Sequence, residues 1–201
     1  MRTFALVCLG GLVVLALLML WILFGWWGTY SALNTANVDQ QKLWGNVESA
    51  MQRRMDLIPN LVSTVRGYAK HESTVFTAVT EARAKVGKVD FGKAASDPKE
   101  MAKLKAAESE LSGALSRLLV IAENYPQLKA NEGFLQLQSQ LEGTENRIAV
   151  ARDRYNEGVG TYNKITTGLF SKVVASFHGF KPAEFFKADE KAKETPKVSF
   201  E

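Results

Sequence analysis

From Phe4 to Trp27 the chain carries no charged residue, and the run ALVCLGGLVVLALLMLWILFGWW fills almost all of that interval. Wound as a helix at about 1.5 Å per residue, such a run is long enough to cross a hydrocarbon core of roughly 30 Å with some tilt. A chain with this feature has to fold the rest of itself beside a lipid bilayer, and residues 1–30 read as a transmembrane anchor. A cleaved signal peptide is the competing reading, but its apolar region spans about 7 to 15 residues and ends at a small-residue cleavage site. Cys8 follows Ala5, Leu6 and Val7. A lipid-attachment cysteine needs a small residue directly before it and a longer lead, so Cys8 reads as a thiol facing lipid or another helix. As the one cysteine of the chain it excludes an intrachain disulfide framework and a multi-cysteine zinc site.

Trp21, Trp26, Trp27 and Tyr30 gather at the C-terminal end of the apolar run, where amphipathic rings favour the headgroup level. They mark one membrane interface. Arg2 precedes the run, and no basic residue follows Trp27 until Lys42. The positive-inside bias therefore predicts a single-pass membrane protein with its N terminus cytoplasmic and its bulk extracytoplasmic.

Beyond the anchor, Trp44, Val47, Met51, Met55, Ile58, Val62, Val65, Ala69, Phe76 and Val79 recur mostly at spacings of three and four, which draws one helical face. The pattern predicts a first helix from Thr35 to Val86, roughly 75 Å long, with a kink or break at Pro59. Gly87–Ser96 is a glycine-bearing connection. Asp97 before Pro98 then predicts an N-cap and a second helix with the stripe Met101, Leu104, Ala107, Leu111, Leu115, Leu118 and Ala122, ending near Asn124. Asn131 predicts the cap of a third, with Phe134, Leu137, Leu141, Ile148, Ala151, Tyr155, Val159, Tyr162 and Ile165 on one side.

The expected fold is all-α: an N-terminal transmembrane helix followed by a long-helix up-and-down bundle over residues 31–180, with three long helices, or four if the first breaks at Pro59. The second helix is about half the length of the first. The stripe Trp44, Val47, Met51, Met55 and Ile58 is therefore expected to lack an intrachain partner and to offer a face for self-association or for a target helix. The other expectation, of equal weight, is that the first helix folds back at Pro59 and covers it. Leu169–Phe180 puts Phe170, Val173, Val174 and Phe177 on one face, expected to cap the bundle in preference to lying on a membrane or partner. Residues 181–201, rich in Lys, Glu, Ala and Pro, read as a mobile tail.

Arg53, Arg54 and Asp56 beside Pro59 and Asn60 form the most distinctive polar cluster. Two readings stay open: side chains satisfying carbonyls freed by a kink, or a recognition patch. The sequence offers no catalytic constellation at useful spacing. His71-Glu72 opens like a zinc-protease motif, but position 75 is Val where a second histidine is required. His178 stands alone, and Gly158-Val159-Gly160 lacks the third glycine and preceding strand of a dinucleotide site, so it reads as a weak point in a helix. No metal or cofactor is called for. Basic residues only modestly outnumber acidic ones, too weak a bias for nucleic-acid binding.

The segments WGNVESAMQRRMDLIPNLVSTVRGYAKHE, AVTEAR and AENYPQLKANEGFLQLQSQLEGTENRIAVARDRYNEGVGTYN, with the closing GFKPAEFF and PKVSF, resemble the bacterial LemA family over nearly the whole chain. The resemblance implies a membrane-anchored helical bundle with no assigned enzymatic activity. It also implies envelope roles, since one branch serves magnetosome-membrane biogenesis and relatives are often encoded near membrane metalloproteases. Met55 stands where many relatives carry Tyr or Ala, and Gly158 and Gly160 interrupt a helix usually richer in alanine or charge. The expected function is a non-enzymatic scaffold or interaction protein whose partners are the lipid bilayer, copies of itself, and a membrane protease or other envelope protein, with no nucleic acid. The alternative is an adaptor presenting clients to a membrane protease.

Overall fold

A computed structural model describes residues 2–186, with side chains from residue 10 onward. The side chain of Cys8 and the closing PKVSF lie outside the described residues. Among these residues seven helices follow one another: α1 (Arg2–Tyr68), α2 (Ser73–Gly87), α3 (Phe91–Ala94), α4 (Pro98–Glu123), α5 (Pro126–Lys129), α6 (Glu132–Thr166) and α7 (Ser171–His178). Among the described residues there is no strand.

The caps fall where the sequence places them. The Asp97 carboxylate accepts from the Lys99 amide with Pro98 at the first helical position, and the Asn131 side chain accepts from the Phe134 amide. Each satisfies an amide that has no partner inside its own helix. The break in the first helix is displaced from its expected place. α1 runs without interruption from the apolar segment through Pro59, and the chain turns only at Ala69–Glu72. Pro59 removes a single amide donor, and the carbonyl it would have served, that of Met55, receives the Arg83 Nε at 2.9 Å. The reversal follows Gly67 and lets α2 bury Phe76, Val79, Ala82 and Val86.

Four helices therefore run up, down, up and down. α1 packs along α6 and α2 along α4. α6, 35 residues and about 52 Å long, lies antiparallel to α1. Its first cap residue, Asn131, donates to the Tyr68 hydroxyl at one end, and Ile165 packs against Leu33 at the other. Buried side chains from all four helices, Ile58, Leu61, Val79, Leu104, Leu118 and Ile148 among them, form one core. Gly158 faces α1: a β-carbon there would stand 2.5 Å from Leu43 Cδ1, so a larger residue would require the Leu43 side chain to shift.

Residues 181–186 are not a loose tail. After α7 the chain reverses at Gly179, whose φ of 77° suits the left-handed cap. It then climbs along α6, whose Asn163 and Asn156 each hold the main-chain N–H and C=O of one residue of the climbing segment. Asn163 Nδ2 donates to the Ala183 carbonyl at 2.9 Å while its Oδ1 accepts the Ala183 amide at 2.8 Å. Asn156 does the same for Phe186, at 3.0 and 2.8 Å. The match is metric: two helical turns advance about 10.5 Å, and three extended residues about 10 Å.

Candidate interaction site

The apolar stripe expected to face a partner is core. Trp44, Val47, Met51, Met55 and Ile58 are all buried within the chain. The half-length second helix is not their only neighbour, because α6 runs beside the whole of this part of α1. At the level of Trp44, α3 and the climbing segment close the remaining gap. The Trp44 indole Nε1 donates to the Phe91 carbonyl at 2.9 Å, and its ring lies 5.0 Å from Tyr155 and 6.4 Å from Phe186. Gln40 Nε2 donates to the Tyr155 hydroxyl, which in turn donates to the Glu184 carbonyl at 3.0 Å. Burial pushes the Tyr155 phenol up to about 12, so it remains a donor at any physiological pH.

Arg54 is likewise interior, its side chain only 6% exposed. Its guanidinium reaches the Glu145 carboxylate at 3.1 Å and donates to Ser112 Oγ at 2.7 Å, with Glu108 at 4.0 Å. Glu108, buried on α4, is paired with Arg152 of α6, whose guanidinium also stacks over Phe186 at 4.3 Å. Burial drives the Glu108 carboxyl above its ordinary value, against the opposing pull of Arg152 and Arg54. Two arginines and two glutamates thus tie α1, α4 and α6 together. Sequence reasoning missed Glu108 and Arg152, because a charge inside a helical stripe looks the same as one on a solvated face until its partners are known. A cleft opens over this cluster, lined by Lys105, Glu108, Ser112, Glu145, Arg152 and Asn156.

Arg53, Asp56, Pro59 and Asn60 are exposed. Asp56 accepts from Gln52 Nε2 at 2.8 Å, and the Asn60 carbonyl accepts from the Thr64 hydroxyl. The carbonyl freed by proline is satisfied by Arg83 of α2, rather than by Arg53, Arg54 or Asn60. Arg53 has another setting: with Arg147 and Arg154 of α6 it lines a groove between α1 and α6, floored by Ala50 and Ala151 and flanked by Asn46, Asn146 and the exposed Val150. Small residues at the helix contact leave the groove open. All three arginines point into solvent, and none has an ion-pair partner among the described residues.

At the other end of the bundle, Trp21 and Trp27 are exposed, whereas Trp26 and Tyr30 are half-buried under α7. The Trp26 indole donates to His178 Nε2 at 3.3 Å, and Tyr30 lies 4.5 Å from the same imidazole. α7 caps the α1–α6 pair only in part. Val174 and Ala175 pack on Leu33, while Phe170, Val173 and Phe177, expected inside, stay exposed. The eight-residue helix presents Val174 and Ala175 to α1 and so has to turn the rest of its apolar residues outward.

The described part of α1 is long and apolar enough to cross a membrane. The LemA family model matches residues 43–200. Magnetosome protein MamQ 2 of Paramagnetospirillum magneticum and magnetosome protein MamQ of Magnetospirillum gryphiswaldense are each 28% identical over 85% of this chain and 68% of their own length. Protein LemA of Metamycoplasma hominis is 25% identical over 72% of this chain and 62% of its own. The family match covers the four-helix bundle from Leu43 onward, and the chain belongs to the LemA family.

Proposed function

We propose that this chain is a non-enzymatic, membrane-anchored interaction protein of the bacterial cell envelope, with its bundle on the extracytoplasmic side. The observation that carries the reading is the continuity of α1, one helix from the apolar segment to the far end of the bundle. It fixes a folded, solvated body to a membrane segment without an intervening linker. The likeness to proteins named for the magnetosome and to LemA supports a role at a membrane. With the Trp44–Ile58 stripe buried, the docking face is the groove of Arg53, Arg147 and Arg154, which suits an acidic segment of an envelope protein or of a second copy.

The test is light scattering, with detergent correction, on the full-length protein purified from its native membrane, beside a variant carrying Arg53→Glu, Arg147→Glu and Arg154→Glu. A defined homo-oligomer or fixed-stoichiometry complex that the charge reversals dissolve, with helical content intact, is the expected result. A protease as the bound species identifies the adaptor role. A monomer without partner in both proteins overturns the reading. Topology is read separately with a cysteine at Ser199 in a Cys8→Ser background: labelling by a membrane-impermeant thiol reagent in intact spheroplasts is expected, and labelling only after lysis reverses the orientation.

A further inference from the structure

We propose that α7 is an interfacial helix, bedding its apolar face in the lipid leaflet nearest the bundle and making a second bilayer contact beside α1. The inference rests on the anchoring of α1 in the membrane and adds a surface to it. Leu169, Phe170, Val173 and Phe177 are 97, 49, 59 and 77% exposed. From Phe170 to Phe177 the spacing is three and then four residues, so these three side chains share one face. Elsewhere in the bundle exposed large apolar residues such as Val120, Leu135 and Val150 stand singly, as on any soluble surface. Here they adjoin the apolar segment itself: Phe170 lines a groove with Leu20, Trp21, Ile22, Phe24, Gly25 and Thr29. The patch therefore continues the bilayer-facing surface of α1, which singles out lipid as its occupant.

The level is right as well. α7 is pinned to the aromatic belt, with Phe177 edge-on to Trp26 at 5.6 Å and Val174 and Ala175 buried against Leu33. Such rings belong at the headgroup depth, where an interfacial helix buries its apolar face about 5–10 Å into the boundary. The chain leading into and out of α7 carries charge of one sign. Between Glu157 and Glu184 the sequence holds Lys164, Lys172 and Lys181 and no acidic residue. A rim of that kind favours anionic headgroups. At Gly179 the chain turns back, with the Phe180 amide donating to the Ala175 carbonyl at 2.9 Å, and climbs away along α6. Among the described residues beyond α1, this leaves α7 and its Leu169–Phe170 approach beside the apolar segment.

The test uses the full-length chain in a Cys8→Ser background with one new cysteine, Leu18→Cys, Phe177→Cys, Val173→Cys or Val120→Cys, carrying a small environment-sensitive fluorophore. Each protein goes into nanodiscs of phosphatidylethanolamine and phosphatidylglycerol, with plain or brominated acyl chains. Labels at 18, 173 and 177 are expected to lose more than about half their emission to the brominated lipid, as groups embedded at this depth should, while the label at 120 is unaffected. Quenching at 18 with none at 173 or 177 overturns this inference, leaves the anchor standing, and assigns the face to a protein partner. No quenching at 18 overturns both. Equal quenching at 120 also overturns it, since the labels then report general adsorption.

Discussion

Arg83 of α2 donates its Nε to the main-chain carbonyl of Met55 in α1, at 2.9 Å, the acceptor that Pro59 leaves without a helical donor. One side chain thus keeps a proline-bearing helix continuous and ties it to its neighbour. Arg83→Met should lower stability by about 1–3 kcal/mol, the range for a hydrogen bond from a charged donor to a part-buried acceptor. Pro59→Ala should remove most of that loss in the double variant, because the alanine amide restores the helical donor. Thermal unfolding of the four proteins by circular dichroism gives the coupling, and strict additivity would show that the two positions do not share the carbonyl.

Glu108 sits between Arg152 and Arg54 with its carboxyl held above the ordinary glutamate value by burial. The folded state therefore keeps the proton to higher pH than the unfolded chain does. Stability from this group is greatest below the unfolded value and declines as pH rises toward and through the folded one. The advantage of the natural protein over Glu108→Gln should accordingly shrink as pH is raised from the ordinary glutamate range toward neutrality. Melting temperatures of the two proteins across that interval check the sign, and a widening gap contradicts it. Glu108→Leu, which leaves Arg152 without a carboxylate and Arg54 with Glu145 alone, should cost about 3–5 kcal/mol at neutral pH.

Asn156 and Asn163 hold the segment that climbs from α7 by gripping the main-chain N–H and C=O of Phe186 and Ala183. Asn156→Asp keeps the acceptor for the Phe186 amide and loses the donor, whereas Asn156→Leu loses both. Hydrogen exchange at the Phe186 amide should rise in the order natural protein, Asp, Leu. Each lost bond is worth about 1 kcal/mol. Exchange at Ala183 should respond to Asn163→Leu far more than to either change at 156.

Trp44→Glu and Met51→Glu should unfold the protein instead of dissolving an assembly. Both side chains are core, and Trp44 adds a ring contact with Tyr155 and an indole hydrogen bond to Phe91. Loss of a large core side chain costs about 3–5 kcal/mol, and an unpaired buried carboxylate adds to it. The measurement is urea unfolding together with light scattering; a fully folded variant of reduced mass would return these residues to an interface.

Local signals carried most of the architecture. The apolar run, the Asp97–Pro98 and Asn131 caps and the stripes of α4 and α6 are written in neighbouring residues, and each element lies within a few positions of its expected limits. Helix termination in α1 was not legible this way. Pro59 is the strongest breaker in its sequence, yet its cost is met by Arg83, distant in sequence and brought near only by the turn at Ala69–Glu72. The same limit explains the interaction residues. Trp44 looked unpartnered because its cover comes from Phe91 and Phe186, and Lys181–Phe186 looked mobile because Asn156 and Asn163 lie on another helix. The exposed face of α7 was visible as a stripe; which side of that stripe Leu33 takes was not.

The unbroken passage of α1 from the apolar segment to Tyr68 makes the protein a lever. From Trp27 to Tyr68 the arm is about 60 Å, and a change of some 20° in the inclination of the lower segment sweeps the far tip sideways by about 20 Å. In the proposed membrane-anchored arrangement no joint separates the apolar segment from the bundle, so a change in bilayer thickness or curvature that tilts the segment would also move the arginine groove above it.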